Sequence, residues 1–406
     1  MKRKVVITAI NTITALGLNV DECWENLIKG KSGIKRISRF EPSGLESQIA
    51  AELPQEFEEY ATQHVKKRSA KQMTRVTKMG VVCTKEAINR SGFDPEHYPK
   101  DRVAVIAGVV NTGFSSIEKA HDEKNSILKA MNNSLSAWIS MEYGFTGPNY
   151  SVATACASSA YAMALGFDMI NNGQADAVII ASADSVVNPE EIKGFNELYA
   201  LSTSNEKGEA ASCPFSADRD GFVIGEGAGT IILEAADKAK ARGANILAEF
   251  AGYGLSSEAY NIVSPQENGE GMFFTMQKAL KHAEVEPSEV NHINAHGTST
   301  TLNDMYETMA IKKLFDGNAQ NIPVVSSKSM IGHTIGAAGV IEGAITIKSL
   351  LEQILHPTAN YRTPDPELDL DYVPNTSRAH KIECAISNSF GFGGHNATLV
   401  FRKMIN

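Results

Sequence analysis

Short runs rich in Val, Ile and Ala alternate along this chain with longer stretches of helical periodicity, and that alternation restricts the fold more than any single motif. Strand-like runs include "KVVITAI", "RVAVIAGVV", "DAVIIASAD" and "GTIILEA". Later come "NILAEFAGYG", "VNHINAHG", "IPVVSSK", "CAISNSF" and "ATLVFRK". Between them the pattern predicts helices over 71–92 and 156–171, then 270–284, 303–315 and 336–353. Alternation of this kind implies layered α/β architecture with largely buried sheets. No Pro/Ser-rich linker divides the 406 residues; the softest seam is the charged "ADKAKARGAN", which separates residues 1–245 from 246–406. Strand, reactive residue, then helix occurs in both halves, at Cys156 and at His333, a hint of internal duplication.

A hydrophobic content of 43% with 21% charged residues is ordinary for a soluble enzyme, and a net charge of −9 argues against nucleic acid as the main partner. The five cysteines, Cys23, Cys83, Cys156, Cys213 and Cys384, are widely spaced without a CxxC pair. That disfavours a disulfide framework or a zinc site and fits a reducing compartment. The first residues lack the apolar stretch of a secretory signal, and no run reaches the ~18 apolar residues of a membrane span. A cytoplasmic protein without membrane partners is expected. One stretch opposes the overall charge: "HVKKRSAKQMTRVTK" carries Lys66, Lys67, Arg68, Lys71, Arg75 and Lys78 with no acidic residue. On one helix, 67, 71, 75 and 78 would share a face. A solvated basic face is the ordinary meaning of such a run; docking of a small acidic partner is the sharper one.

In "VATACASSAYAMALGF" a single cysteine stands among small residues where a strand-like stretch, 150–155, meets a helix. A cysteine that only fills a core sits among bulkier neighbours. At a helix start the free N–H groups favour a thiolate and lower the thiol pKa, so Cys156 is a candidate nucleophile, with a buried inert thiol the alternative. The second half supplies the partners such a nucleophile needs. "INAHGTSTTLNDMYE" ends an apolar strand on His296, and "SSKSMIGHTIGAAG" brings Lys328 and then His333 to a glycine-flanked turn. In "SNSFGFGGHNA" glycines surround Phe392; main-chain N–H groups in such a loop can bind an oxyanion.

These segments, together with "PFSADRDGFVIGEGAG" at 214–229, occur in an order that strongly resembles the elongating β-ketoacyl-[acyl-carrier-protein] synthases of type II fatty-acid and polyketide synthesis. The resemblance spans essentially the whole chain. It implies a thiolase-like fold, two similar α/β halves in a five-layered αβαβα structure, normally paired as a dimer. By the same resemblance, Cys156 takes the acyl chain from an acyl-carrier protein, and the N–H groups of Cys156 and Phe392 form the oxyanion hole. His296 and His333 assist decarboxylation of the malonyl carrier, Lys328 and Glu342 organise the charges around them, and Thr298 and Thr300 bind the pantetheine arm. The glycines on either side of Phe392 let its backbone swing, so its ring is expected to gate the acyl tunnel as well, with a ring packed permanently in the core the alternative. Lys66, Lys67, Arg68 and Lys71 then become the docking site of the acidic carrier. No metal and no resident cofactor are implied, since neutral histidines do the polarising.

Rival readings have identifiable signatures. A thiolase carries a second catalytic cysteine in a CxG segment, whereas Cys384 is followed by Ala-Ile; initiating synthases use Asn at the place of His333. A papain-like hydrolase needs neither the second histidine nor the GFGG loop. A non-catalytic chain-length factor keeps the fold but lacks the nucleophile. Specificity elements depart from the family pattern: a shorter, more polar segment at 109–138, Tyr199 in place of an arginine, and Glu258 and Val263 in place of Asp and Thr. A housekeeping homodimer and a specialised ketosynthase paired with a chain-length factor therefore both fit the sequence.

Overall fold

The computed structural model describes residues 2–111 and 126–404; part of the divergent 109–138 segment, residues 112–125, lies outside them. The strands are β1 (Val5–Thr14), β2 (Ile34–Arg36), β3 (Ile49–Ala51), β4 (Val103–Gly108), β5 (Asn149–Val152), β6 (Ala177–Asp184) and β7 (Gly227–Ala235). There follow β8 (Ala248–Ser257), β9 (His292–Asn294), β10 (Val324–Val325), β11 (Ile354–Leu355), β12 (Arg378–Ala379), β13 (Cys384–Gly391) and β14 (His395–Arg402). Two pairs, β2–β3 and β11–β12, stand apart as small sheets, and the other strands form one ladder.

That ladder repeats itself. From one edge it runs β5-β4-β6-β7-β1, and from the other β10-β9-β13-β14-β8. In each half the outer three strands are parallel and the inner two turn antiparallel. Within the ladder, the described residues of the two halves pair where Val6 and Ile7 of β1 meet Glu249 and Ala248 of β8. The expected duplication is thus written in the topology.

Strand alternation makes the layers. On β6, Val178 and Ile180 face one core; Ala177, Ile179 and Ala181 face another. The inner core receives helices Ser158–Asn171 and Ala338–Glu352, whose residues are buried nearly all round, as a helix between two sheets requires. It is closed from the far side by Ala385, Leu399 and Phe401 of the second half. Helix Arg75–Ser91 covers the outside of the first half, and helices Glu270–His282 and Thr301–Phe315 cover Ile293, Ile386 and Val400 of the second. Helix, sheet, helix, sheet, helix is the resulting order.

The basic stretch departs from expectation. Instead of one helix from residue 71, a short helix, Lys67–Ala70, is followed by a break, and Thr74 then caps the longer helix by accepting the Thr77 N–H at 3.2 Å. The common face of Lys67, Lys71, Arg75 and Lys78 does not form. Arg75 pairs with the buried Glu226 and with Glu58, and Lys78 also pairs with Glu58. Lys66, Lys67, Arg68 and Lys71 stay exposed.

Candidate active site

β5 stops at Val152, and the expected strand to residue 155 is a tight turn instead. Ala155 takes a φ of 48°, a left-handed conformation costly for a residue with a Cβ. The turn is held by N–H donations from Ala157 to Thr154 O and from Ser158 to Ala155 O, each 3.1 Å. This sets Cys156 immediately before helix Ser158–Asn171. The loop after β13 comes up against it: a Cβ on Gly391 would stand 3.1 Å from both Cys156 N and Thr154 O, so glycine permits that approach. The second half has the same turn, with Ile335 at φ 46° and Gly336 where the cysteine would be.

The two halves converge on the sulfur. His296 follows β9; His333 is fixed by donating its N–H to Val223 O (2.7 Å) and accepting from Gly225 N (2.9 Å). One side-chain donor atom from each of Cys156, His296 and His333 lies within 4.8 Å of the others, and the imidazole centroids are 5.3 Å apart at 84°. Behind them the fully buried Lys328 donates from Nζ to His296 O at 2.7 Å and pairs with Glu342. Glu307 was not singled out by sequence reading. Its carboxylate accepts the N–H groups of His296 and Gly297, both at 2.8 Å, and an Asn388 Nδ2 hydrogen at 3.1 Å. The one available signal was its place among buried polar residues three positions after Asp304 on a single helix face.

A cavity of about 280 Å³ brings together Cys156, His296, His333, Thr298, Thr300 and Phe392. Thr298 and Thr300 share a hydrogen bond of 2.9 Å between their hydroxyls. The mouth carries exposed Leu198, Leu302 and Tyr199, the last 92% exposed. Glu258 and Val263 also line it. Glu258 accepts from Asn396 Nδ2 (2.8 Å) and Gln266 N (2.7 Å), and Gly393 N donates to Ile262 O (2.8 Å), tying the two loops together. Lys66, Lys67, Arg68 and Lys71 are not among the lining residues.

Burial governs the electrostatics. The Cys156 thiol is pushed up to about 11 by desolvation, although the Lys328 charge and the Phe392 N–H both favour the thiolate. The expectation that the helix end lowers this pKa is therefore corrected: here desolvation outweighs the helix. His296 is held well below its ordinary value by burial, by Lys328 and by His333, and His333 by burial and Lys328, so both imidazoles are neutral. Glu342 is raised to about 7 by burial against the pull of Lys328, and burial raises Glu307 to about 7. Nδ1 of His296 and both ring nitrogens of His333 are buried without a partner among the described residues. Each such group costs about 1–3 kcal/mol, which a polar ligand atom between the rings would relieve.

No helix among the described residues is long and apolar enough to cross a membrane. The sequence matches the family profile "Beta-ketoacyl synthase, N-terminal domain" over residues 2–239 and "Beta-ketoacyl synthase, C-terminal domain" over 247–362. It is 38% identical to 3-oxoacyl-[acyl-carrier-protein] synthase 2 of Synechocystis sp., covering 99% of this chain and 98% of that protein. Among solved structures, a chain of AntDE:AntF, a type II PKS acyl-carrier protein in complex with its ketosynthase bound to the hexaketide, superposes with a TM-score of 0.91. That likeness is at 32% identity and covers all of both chains. The ishigamide ketosynthase/chain length factor does so at 0.90 and 31%, again over both full lengths. With its two like α/β halves in five thiolase-like layers, and with both domain profiles matched in order, the chain belongs to the β-ketoacyl synthase family.

Proposed function

We propose that the protein elongates an acyl chain by decarboxylative Claisen condensation with a malonyl group carried on acyl-carrier protein. The observation that carries this reading is the convergence of one cysteine and two neutral histidines in a single cavity backed by a buried lysine. Cys156 Sγ attacks the acyl thioester; its bond to the acyl carbon forms, the bond from that carbon to the pantetheine sulfur breaks, and the pantetheine leaves as a thiol with the proton that Cys156 gave up. The N–H groups of Cys156 and Phe392 stabilise the tetrahedral oxyanion. The malonyl thioester then places its carbonyl oxygen between His296 and His333. As the bond to carbon dioxide breaks, its electron pair passes into an enolate held by these two donors. The enolate carbon bonds to the acyl carbonyl carbon, the acyl–Cys156 bond breaks, and the thiolate takes up a proton from solvent. Lys328 and Glu342 set the charge balance, and Thr298 and Thr300 hold the pantetheine. Substrates ride on the carrier's phosphopantetheine in the cytoplasm, and the reaction calls on no resident cofactor. The 1–245 and 246–406 halves act as one catalytic unit. Incubation with a malonyl thioester tests the reading: carbon dioxide release without net thioester hydrolysis supports it, and hydrolysis alone overturns it.

A metal centre is a second reading of the same three side chains. The buried Lys328 charge, which already lowers both histidines, disfavours another cation there. For the partner subunit, β5 ends the ladder without a further strand among the described residues, beside exposed Tyr150, Met141 and Met131. An apolar open edge of this kind is covered by a second chain. A homodimer or a chain-length-factor-like subunit fits it; likeness over full length to a chain of a type II PKS ketosynthase complex and to one of a ketosynthase/chain length factor supports the latter.

Charge reversal at Lys66 and Lys67, or at Arg68 and Lys71, is expected to raise KM for carrier-borne substrates about 10-fold while leaving small pantetheine thioesters unaffected. Native carrier affinity should fall with salt, because exposed charges are screened beyond about 10 Å at 0.1 M. Affinity independent of salt returns these residues to a solvated face.

Phe392 is half-buried, with glycine at φ 78° and 72° directly after it, so the loop can swing. Phe392→Ala keeps the main-chain N–H and removes the ring. A folded variant with altered condensation rate or chain-length preference is expected; lower stability with unchanged rate and products rules out the gate.

A further inference from the structure

Thr300 stands at the N-cap of helix Thr301–Phe315, yet its hydroxyl does not cap the helix; it bonds the Thr298 hydroxyl at the cavity wall instead. An N-cap threonine ordinarily uses that oxygen to accept an N–H of the first turn, so here the group is diverted to the cavity side. Ser299, between the two threonines, is fully buried with φ at 73°, a left-handed conformation that persists only where its surroundings impose it. The 213–222 segment and the helix do so together. Cys213 N donates to Ser299 Oγ and Gly221 N to Ser299 O, each at 3.0 Å. Asp304 accepts the N–H groups of Ser299 at 3.2 Å and of Phe215 at 2.8 Å.

Arg219 closes this arrangement from behind. It is buried and is not among the lining residues of the cavity. Its Nη2 donates to Thr301 O at 3.2 Å and its Nε to Thr300 O at 3.4 Å. Nη1 donates to Ser216 O and to Asp365 Oδ2, each at 2.9 Å. A guanidinium at the start of a helix faces the positive end of its dipole. Asp304, 4.0 Å away, and Asp365 offset that opposition. A planar fork with five donors reaches acceptors on the helix start, on the 216 turn and on Asp365 at once; the single ammonium of a lysine does not. We infer that Arg219 is a positioning residue for the condensation, holding the first turn of helix Thr301–Phe315 so that the Thr298 and Thr300 hydroxyls receive the pantetheine arm. This deepens the condensing-enzyme reading and rests on it.

The test compares malonyl pantetheine thioester with malonyl N-acetylcysteamine thioester, which lacks most of the arm, reading carbon dioxide release by the native protein and by Arg219→Lys. Native kcat/KM should favour the pantetheine thioester. Arg219→Lys is expected to shrink that preference on the order of 10-fold, through a higher KM for the pantetheine thioester with kcat little changed. The threonine hydroxyls then lose their aim while the two imidazoles keep theirs. A clasp that is merely structural lowers kcat for both thioesters in proportion, and that outcome overturns the inference. Thr300→Val gives a second readout: on that background Arg219→Lys should raise KM no further, whereas additive losses mean that Arg219 does not act through the hydroxyl. Asp365→Asn, at a half-buried loop position, loosens the same guanidinium and should narrow the preference in the same direction. Where Arg219→Lys fails to fold, an unchanged preference in Asp365→Asn overturns the inference. Equal use of both thioesters by the native protein overturns it too and leaves the condensing-enzyme reading standing. Carbon dioxide release from neither thioester overturns that reading and this inference with it.

Discussion

Cys156→Ala is expected to yield a folded protein that forms no acyl adduct and condenses nothing above background. The side chain is buried among small neighbours at a turn whose strain lies in Ala155, so alanine loses one heavy atom without disturbing the backbone. No other cysteine among the described residues lines the cavity. A mass shift on the Cys156→Ala variant after incubation with an acyl thioester would show that the nucleophile lies elsewhere. A thiol-directed reagent such as iodoacetamide adds a second readout. With the Cys156 thiol raised to about 11, the thiolate fraction grows about tenfold per pH unit between 7 and 9. Labelling of Cys156 should follow that slope. A plateau near neutral pH would mean that the helix end and Lys328 overcome burial after all.

The same residue shows where sequence reading stops. The small residues around Cys156, the following helix and the glycines near Phe392 are local features, and each sits where its motif predicts. The alternating strands were equally plain, because Val178 and Ile180 could only face one core if Ile179 faced another. What the residues alone do not carry is depth. A helix start lowers a thiol pKa in water, but two stacked sheets bury Cys156, and that desolvation is a property of the whole fold. Glu307 was missed for the same reason: a carboxylate under two backbone amides becomes visible only when helix Thr301–Phe315 is laid beneath the His296 loop. The basic stretch erred in the other direction. Helical spacing suggested one continuous face, while Thr74 was a ready cap that restarts the helix, and Glu226 drew Arg75 away from solvent.

His296 and His333 should separate the two half-reactions when removed. Either alanine variant is expected to slow carbon dioxide release from the malonyl thioester by ~10²–10³, the value of one well-placed oxyanion donor, and to slow acylation of Cys156 far less. The reason lies in which donors each step has. The acyl oxyanion is covered by main-chain N–H groups of Cys156 and Phe392, which survive both substitutions. The enolate oxygen, by contrast, has only the imidazoles, whose buried nitrogens are without partners among the described residues. Neutrality of both rings matters here. Burial and the Lys328 charge hold them well below their ordinary value, so they donate as uncharged imidazoles throughout the neutral range, and the decarboxylation rate should not fall as pH rises through 6.5. A rate that drops through that window would mean that an imidazolium does the work. Full decarboxylase activity in His333→Ala, or equal losses in acylation and decarboxylation, would remove the assigned role, because a merely structural histidine slows both steps alike.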